Sequence, residues 1–342
     1  MNLEVNERPL VTFALFAYNQ ERFIRDALES AFSQTYSPLE IVLSDDCSQD
    51  ATYSIMQQMA SGYQGGHKVV LNRNPRNLGV AAHVNAVMNL SRGLLIVAAA
   101  GDDIAFPDRV EQTVKVWSKN QFRADSIALG IEPFADNFSG SLRAVSPVLT
   151  SKEEVIWNAG PRVIGAAHAW TRRLFDVFGP LPEWLHEEDV VLPFRALFLG
   201  GIAFEPIPVV RYRQHRDNTL SGANPAFKGL RGQELRYQMK LKKSLRALEG
   251  MALTVNQAVA LGLISLEEGA TLQNLIRESK QRRQVELDLT SSDFKKRLHA
   301  GFMIWLTKTV RHYSVLRKLF LSASALLPQL RTLEWKVRDR GR

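Results

Sequence analysis

Three short acidic clusters hold the residue types in this chain that are best suited to chemistry. They are Asp45-Asp46, Asp102-Asp103 and Glu187-Glu188-Asp189. The first two follow the apolar runs LEIVLS and LLIVAAAG, which are typical of buried strands. Carboxylates that lie close together repel one another unless they share a proton or a cation. The pattern therefore indicates a divalent metal that carries a phosphate-bearing ligand, with the third cluster as a source of a general base.

The elements that must position these acids alternate between strand and helix. Strand-like apolar runs occur at 10–17, 39–43, 67–71 and 94–99. Helical spacing of apolar residues occurs at 21–35, 51–63, 80–90 and, after Pro107, at 108–117. This alternation predicts an α/β fold with a mostly parallel sheet that is covered by helices on both faces. Such a sheet brings the carboxyl ends of its strands to one edge, where ligands bind.

The second half of the chain is less regular. Strands are expected at 163–171 and 202–212, with a helix at 190–199 between them. From residue 226 onward the pattern predicts helix almost throughout, with breaks near Gly250 and at 290–292.

Polar residues beside the strand ends are candidates for binding a nucleotide. Tyr18 is placed to stack on a base, and Asn19 either opens a phosphate-binding loop or caps a helix. Asp45 and Asp46 either bond a base or ribose or shape an ordinary turn. His83 either faces a diphosphate or lies in the core or at the surface. No glycine-rich dinucleotide fingerprint and no Walker motif occurs, so a nucleotide must be held in another way.

The candidates for metal binding and proton transfer come later in the chain. Asp102 and Asp103 suit Mg²⁺ or Mn²⁺ held by one or two carboxylates and phosphate oxygens, although an acidic turn before a helix has the same pattern. Asp189 borders an apolar helical stripe and is a candidate general base, although acids also compensate the dipole of a first helical turn. His215 either completes a metal shell or belongs to a solvated basic loop.

Composition indicates an ordinary globular protein. The chain has 342 residues, of which 45% are apolar and 23% charged. Cys47 is the single cysteine, which excludes an internal disulfide. The start of the chain has no signal-peptide pattern, and no window reaches the roughly 18–20 apolar residues of a membrane span. The expected location is the cytoplasm, with the inner face of the plasma membrane as an alternative.

Charge divides the chain into two predicted regions. Residues 1–225 carry 20 Lys and Arg against 25 Asp and Glu, whereas residues 226–342 carry 23 against 10. The basic, amphipathic end of the second region suits an anionic membrane surface. It suits equally well a helical hairpin packed on the first region or on a second copy of the chain. Nucleic acid is not an expected partner, because no recognisable binding module accompanies the basic residues.

Together these motifs resemble glycosyltransferase family 2, whose members are inverting enzymes with the GT-A fold. The resemblance covers roughly residues 8–222 and leaves the last 120 or so uncovered. The motifs that carry it are FALFAYNQERFI, DDCSQD, NLG with AAHVN, GLLIVAAAGDD with FPDRV, Glu188-Asp189, and YRQHRDNTLSG. Membership implies transfer of a sugar from a nucleotide-diphosphate sugar to a hydroxyl acceptor. The bacterial surface-polysaccharide members imply a lipid-linked or surface glycan as that acceptor.

The resemblance also implies roles for individual residues. A first set would line the nucleotide site: Ala17, Tyr18, Asn19, Glu21, Asp45, Asp46, Asn77, His83 and Asp102. Asp189 would be the catalytic base, and Asp102, Asp103 and His215 would hold Mn²⁺ or Mg²⁺. Family members often have Asp-x-Asp-Asp where this chain has Ala100-Gly101-Asp102-Asp103, which leaves open which aspartate binds metal and which touches ribose.

Two other classes of function remain open at this level. The missing first acid of the metal motif favours a catalytically impaired GT-A scaffold or regulatory protein, whereas the retained Asp189 and His215 speak against it. A nucleotidyltransferase also uses acids on an α/β sheet. It is disfavoured because FAYNQE, after the first strand, lacks a loop rich in Gly, Arg and Lys.

Overall fold

An eight-stranded sheet forms the centre of the molecule. The structure, a computed structural model, describes residues 8–134, 147–214 and 229–291. The strands are β1 (Val11–Ala17), β2 (Leu39–Asp45), β3 (Lys68–Arg73), β4 (Leu95–Ala100), β5 (Ile104–Ala105), β6 (Ser126–Phe134), β7 (His168–Thr171) and β8 (Ile202–Arg213). Their order across the sheet is β3-β2-β1-β4-β7-β6-β8-β5. The predicted α/β class with a mostly parallel sheet is confirmed.

The first half of the sheet is parallel. β1 pairs with β2 and β4, and β2 pairs with β3. Ala17 aligns with Asp45, and Phe16 with Ala100, so these strands end at the same edge. All seven residues of β2 are buried, because helices cover both faces of the sheet. The segments that follow the strands, with the first two acidic clusters, therefore lie along one edge.

The strand β7 enters this sheet in the opposite direction. Leu95 pairs with Thr171 and Val97 with Ala169, so the residues just before β7 lie beside the carboxyl end of β4. Those residues form a single 3-10 turn, Gly165–Ala167, which contacts β4. The strand expected at 163–171 is therefore confined to its last four residues. This reversal brings a segment from the second half of the chain to the edge that carries the acids.

Helices cover both faces of the sheet and extend beyond it. They are α1 (Ile24–Phe32), α2 (Thr52–Gly62), α3 (Val80–Leu90), α4 (Arg109–Lys119), α5 (Lys152–Asn158), α6 (Arg173–Phe178), α7 (Glu188–Ala196), α8 (Gly229–Ala260) and α9 (Leu266–Leu289). Alternate residues of β1 point to opposite faces. Phe13 and Leu15 pack in the cluster that contains α1 and α4, whereas Ala14 packs with α3 and α7.

The long helices α8 and α9 share a hydrophobic cluster with the sheet-covering region. Val155 of α5 and Phe194 of α7 pack in this cluster with Leu248, Val255 and Ile276. The domain boundary at 225/226 stays a prediction. Within the described ranges, no helix is both long and apolar enough to span a bilayer. Residues 292–342, which contain most of the basic amphipathic stretch, lie outside the described residues.

Several predicted elements have different bounds, and one predicted break is wrong. The first helix was expected from residue 21, but it begins at Ile24 because the preceding loop runs through Asn19 in the left-handed region, with φ 51°. Gly250 lies inside α8 and does not break it. A Cβ on Gly250 would lie 2.7 Å from Cγ2 of Val191, so glycine permits the close approach of α8 to α7. The expected break at 290–292 is confirmed by the end of α9. The elements β5, β6, α5 and α6 were not predicted.

Candidate active site

The loops after β1 and β2 are joined by hydrogen bonds. Oδ1 of Asn19 accepts from the backbone N–H of Gln49 at 2.8 Å. Oε2 of Glu21 accepts from the N–H of Ala51 at 2.9 Å. Asn19 therefore ties the two loops together and does not cap α1, which has no side-chain cap. Tyr18 projects from the same edge with 44% of its surface exposed. This edge offers an exposed aromatic ring above a rigid double loop, and the roles of Ala17, Tyr18, Asn19 and Glu21 in binding a nucleotide stay predictions.

Both acids of the first cluster are buried and already have protein partners. Asp45 accepts from the backbone N–H of Ser48 at 3.0 Å and from the hydroxyl of the same residue, and it lies 3.4 Å from Nε of Arg73. Asp46 accepts from the backbone N–H groups of Leu78 and Gly79 at 2.9 and 3.0 Å. Asp46 thereby holds the loop that precedes α3. Direct contact of either carboxylate with a base or ribose stays a prediction.

Two further nucleotide candidates lie in or beneath this loop. Oδ1 of Asn77 accepts from the N–H of Gly79 at 3.0 Å, and Gly79 has φ 77°, which favours glycine. His83 is buried, with its Nε2 2.7 Å from Oγ of Ser44 and its ring edge-on to Phe16. Burial lowers the pKa of His83, and the nearby aspartates of the first cluster oppose that shift only in part. The histidine is therefore a neutral interior group near neutral pH, and its contact with a diphosphate stays a prediction.

The second acidic cluster lies in the turn between β4 and β5. Oδ1 of Asp103 accepts from the backbone N–H of Arg213 at 2.8 Å, and the guanidinium of Arg213 bonds the carbonyl of Asp102 at 3.0 Å. Burial, and then the charge of Asp102, raises the pKa of Asp103 to about 7. A Cβ on Gly101 would displace the side chain of Gln20, whose Oε1 packs against this turn. Asp102 is only partly buried, so it is the more accessible of the two carboxylates.

The carboxylates at this turn fit a metal ion that is bound mainly through the phosphate oxygens of a substrate. Among the residues that the structure describes, no group of three or more His, Cys, Asp or Glu side chains is arranged to hold a metal. Mg²⁺ is commonly bound by one or two carboxylates together with phosphate oxygens of the substrate. Asp102 fits the role of such a carboxylate, with Asp103 held behind it. His215, the third expected ligand, lies outside the described residues.

The third acidic cluster begins α7 and faces the Gly165–Ala167 turn. A Cβ on Gly165 would lie 3.4 Å from Cβ of Asp189 and 3.7 Å from Oε1 of Glu188. Oδ1 of Asp189 is buried and has no hydrogen-bond partner in the described part of the chain, although a quarter of the side chain is exposed. A buried carboxylate oxygen without a donor is uncommon and requires an explanation, of which a role in binding or catalysis is one.

The neighbouring acids of this cluster have different environments. Burial, and then the charge of Asp189, raises the pKa of Glu188 to about 8. Burial also raises the pKa of Asp189, but Lys243 of α8, 3.8 Å away, opposes the shift. Glu187 is fully buried and bonds the guanidinium of Arg246 at 2.9 and 3.2 Å. At neutral pH Glu188 is therefore mainly protonated, and a cation favours the ionised form of Asp189.

The fold brings the second and third acidic clusters to the same edge of the sheet. Asp102 follows β4 directly, and the Gly165–Ala167 turn contacts the same strand because of the antiparallel register of β7. Asp189 in turn lies against Gly165. A carboxylate suited to a metal and a carboxylate suited to a base are thus connected through one short turn.

Sequence reasoning missed Gly165, Lys243 and Arg246. These residues reach the site from an irregular segment and from a helix more than 50 residues beyond Asp189, and neither place has a local motif. One signal was available for the two cations. They are three residues apart and therefore share a helical face, and their charges match the acids at 187–189.

Comparisons with known proteins show which sequences and folds this chain is similar to. Residues 12–164 match the model of glycosyl transferase family 2. EpsE of Bacillus subtilis is 34% identical over 117 residues, which cover 34% of this chain and 41% of EpsE. An uncharacterized glycosyltransferase of Rickettsia typhi is 27% identical over 241 residues, which cover 69% of this chain and 72% of the relative. The match thus spans less than half of the first of these relatives.

Two solved structures share the fold. The mannosyltransferase PcManGT from Pyrobaculum calidifontis, in complex with GDP-Man and Mn²⁺, has a TM-score of 0.53 at 15% identity, covering 95% of this chain and 89% of its own. Residues 1–349 of TarS from S. aureus, in complex with UDP-GlcNAc, have a TM-score of 0.50 at 14% identity, covering 83% and 81%. The predicted GT-A fold is confirmed.

Proposed function

We propose that this chain transfers a sugar from a nucleotide-diphosphate sugar to a hydroxyl acceptor, with inversion at the anomeric carbon and Asp189 as the base. The observation that carries the proposal is the carboxylate of Asp189, which lies against Gly165 at the edge where β4 ends and whose Oδ1 has no hydrogen-bond partner among the described residues. The match of residues 12–164 to the family 2 model supports it. So do the neighbours of the same fold, which are solved with GDP-Man and UDP-GlcNAc.

The proposed reaction is a single in-line displacement. The acceptor hydroxyl gives its proton to Asp189 while its oxygen bonds the anomeric carbon, and the bond to the diphosphate breaks with the electron pair leaving on the diphosphate. Attack opposite the leaving group inverts the carbon. A divalent cation, when bound, supplies positive charge to the departing diphosphate, and Asp102, backed by Asp103, would hold it. Fixing both reactants in one cleft lowers the barrier by up to about 7–11 kcal/mol in favourable cases.

Between the two adjacent acids, the electrostatics favour Asp189 as the base. A general base must be ionised before it accepts a proton, and a pKa near 8 leaves Glu188 mostly protonated at neutral pH. Lys243 favours the ionised form of Asp189. The two carboxyls titrate as a pair, so one bound proton on Glu188 leaves the charge on Asp189.

A glycan or a lipid-linked glycan on the inner leaflet is the proposed acceptor. The basic, aromatic-rich stretch near the end of the chain is suited to an anionic membrane surface. Co-sedimentation with anionic liposomes, compared between the full chain and a version that ends at residue 291, tests the membrane contact. Equal binding of both would reject it.

A comparison of three variants tests the proposed reaction. Binding of UDP-, GDP- and dTDP-sugars with Mn²⁺ is first screened by thermal shift, and release of nucleoside diphosphate is then followed with the donor that binds. Asp189→Asn should lower kcat by at least about 10²-fold and leave donor affinity within about 2-fold, whereas Glu188→Gln should retain much of the activity. Asp102→Asn, or EDTA, should weaken donor binding. If Asp189→Asn keeps kcat within a few-fold, Asp189 is not the base.

A catalytically impaired scaffold is the second candidate, favoured by Ala100 in place of the first acid of the metal motif. Such a protein would bind a nucleotide sugar and release no nucleoside diphosphate with any donor and acceptor. Turnover by the unmodified chain excludes this candidate.

A further inference from the structure

The long helix α8 places two cations on the acidic start of α7. Lys243 and Arg246 are three residues apart and therefore lie on the same face of α8. They contact two acids of the third cluster, with Lys243 facing Asp189 and Arg246 facing Glu187. The helix thus reaches the proposed catalytic base from a part of the chain that the family model does not cover.

The Arg246 contact fixes the position of this face. Both guanidinium donors to Glu187 are within 3.2 Å, and the carboxylate that receives them is fully buried. One helical turn further on, the absence of a side chain at Gly250 allows the backbone of α8 to pack directly against Val191 and Leu185. The two helices are therefore held at a small separation next to the base, which keeps the backbone of Lys243 close to Asp189.

The Lys243 contact has a different character. Its ammonium lies 3.8 Å from Oδ1 of Asp189, which is beyond a hydrogen bond but close enough for strong attraction. The charged groups that face Asp189 are Lys243 from α8 and the two preceding acids of its own helix. The Gly165–Ala167 turn, which packs against Asp189 from the other side, contributes no charge. Among the described residues, Lys243 is therefore the cation that counteracts the effect of the neighbouring acids on the pKa of Asp189.

We propose that Lys243 is a positioning residue that stands at the buried Oδ1 of Asp189, keeps the carboxylate ionised and leaves Oδ2 for the acceptor hydroxyl. The position of the ammonium allows both, because its charge acts from the buried side of the carboxylate and does not occupy the accessible oxygen that must take the proton. On this reading α8 is part of the active site, and the long helical region completes it. The inference rests on the proposed function of Asp189.

The pH dependence of the chemical step tests this role. Removal of the positive charge in Lys243→Met raises the pKa of Asp189, so the acid limb of kcat moves to higher pH. For a partly exposed pair the expected shift is about 0.5–1 pH unit. At a pH well above the limb, kcat should return to within about 2-fold of the unmodified protein, with the KM for the donor unchanged. Lys243→Arg should restore the original limb.

Single-turnover release of nucleoside diphosphate from the full chain, between pH 5 and 9, gives these profiles. Lys242→Met is the matched control, since it removes the same charge from an adjacent, exposed position of α8 and should leave the profile in place. Thermal unfolding of each variant establishes that it is folded. If Lys243→Met is not folded, Lys243→Gln takes its place.

Three outcomes would overturn the inference. The first is an acid limb of kcat that stays at the same pH in a folded Lys243 variant. The second is an equal loss of kcat at every pH. The third is a rise in the KM for donor or acceptor without a shift of the acid limb, which would make Lys243 a substrate contact. Failure of the proposed function gives different results from these three. In that case the unmodified chain transfers no sugar from any donor, or Asp189→Asn retains the transfer activity.

Discussion

Arg246→Met removes the cation that faces the buried carboxylate of Glu187. Loss of one partner from a buried ion pair costs about 3–5 kcal/mol, since the remaining charge has neither water nor a counterion. The side chain of Arg246 is 43% exposed, so water enters the vacated space and the expected cost falls to about 2–3 kcal/mol. The N–H of His186 still donates to Glu187 at 3.2 Å, so the carboxylate keeps one partner.

Urea unfolding followed by circular dichroism measures this cost. With a slope of about 2–3 kcal/mol/M, the midpoint should fall by about 1 M. Arg277→Met is the control, because it removes an exposed guanidinium from α9 and should change stability by no more than about 0.5 kcal/mol. In the double variant Glu187→Gln/Arg246→Met the unpaired charge is gone, so the loss should be clearly smaller than the sum of the two single losses. Simple additivity, or a loss below about 0.5 kcal/mol for Arg246→Met, would refute the reasoning.

Three further changes probe the edge of the sheet. Gly165→Leu places side-chain atoms against Asp189, so kcat should fall by about 10²-fold with donor affinity unchanged by calorimetry, whereas Gly165→Ala, with its Cβ 3.4 Å from Asp189, should be milder. Asp103→Asn removes a carboxyl whose pKa is raised to about 7 by burial and by its acidic neighbour. The folded protein binds that proton more tightly than the unfolded chain does. As the pH rises from 5 to 8, the free energy of unfolding of the unmodified protein should therefore fall by about 2–3 kcal/mol relative to that of the variant, measured by urea unfolding. Asp46→Ala removes the acceptor of Asn74 and Leu78 and one of the two acceptors of Gly79. It should cost about 2–3 kcal/mol in the same assay and weaken donor binding by thermal shift.

Local patterns predicted every element of the first 120 residues except the two-residue strand β5, because each pattern has a local cause. β2 is apolar at nearly every position since both of its faces are covered, and the acids appear where that cover ends. Prediction was poorer between residues 121 and 200. The short strand β7 has four residues and pairs antiparallel with β4, and nothing in its own sequence states its direction. Gly250 shows the same limit, because its effect depends on the side chains of α7 that face it.

For the predicted site residues, too, positions that depend on local sequence were predictable and contacts with distant residues were not. Tyr18 and Asp102 lie at the sheet edge, as the strand pattern predicted. Asp189 was singled out from a helical stripe, and only the structure shows that it lies against Gly165. Asp45 bonds Ser48 three residues away, as an ordinary turn would, whereas the bonds made by Asp46 and His83 were not predictable because their partners lie 28 or more residues away in the chain.

By itself the sequence determined the parallel half of the sheet and the presence of acids at its edge, because strand periodicity and strand termini are properties of neighbouring residues. Only the tertiary structure decided the electrostatic environment of the third cluster, in which burial raises the pKa of Glu188 to about 8 and Lys243 opposes the rise in the pKa of Asp189. These shifts depend on a cation that approaches from α8 and on the exclusion of water by packing. Electrostatic energies vary with distance and solvent access in three dimensions, and neither quantity is written in the order of residues along the chain.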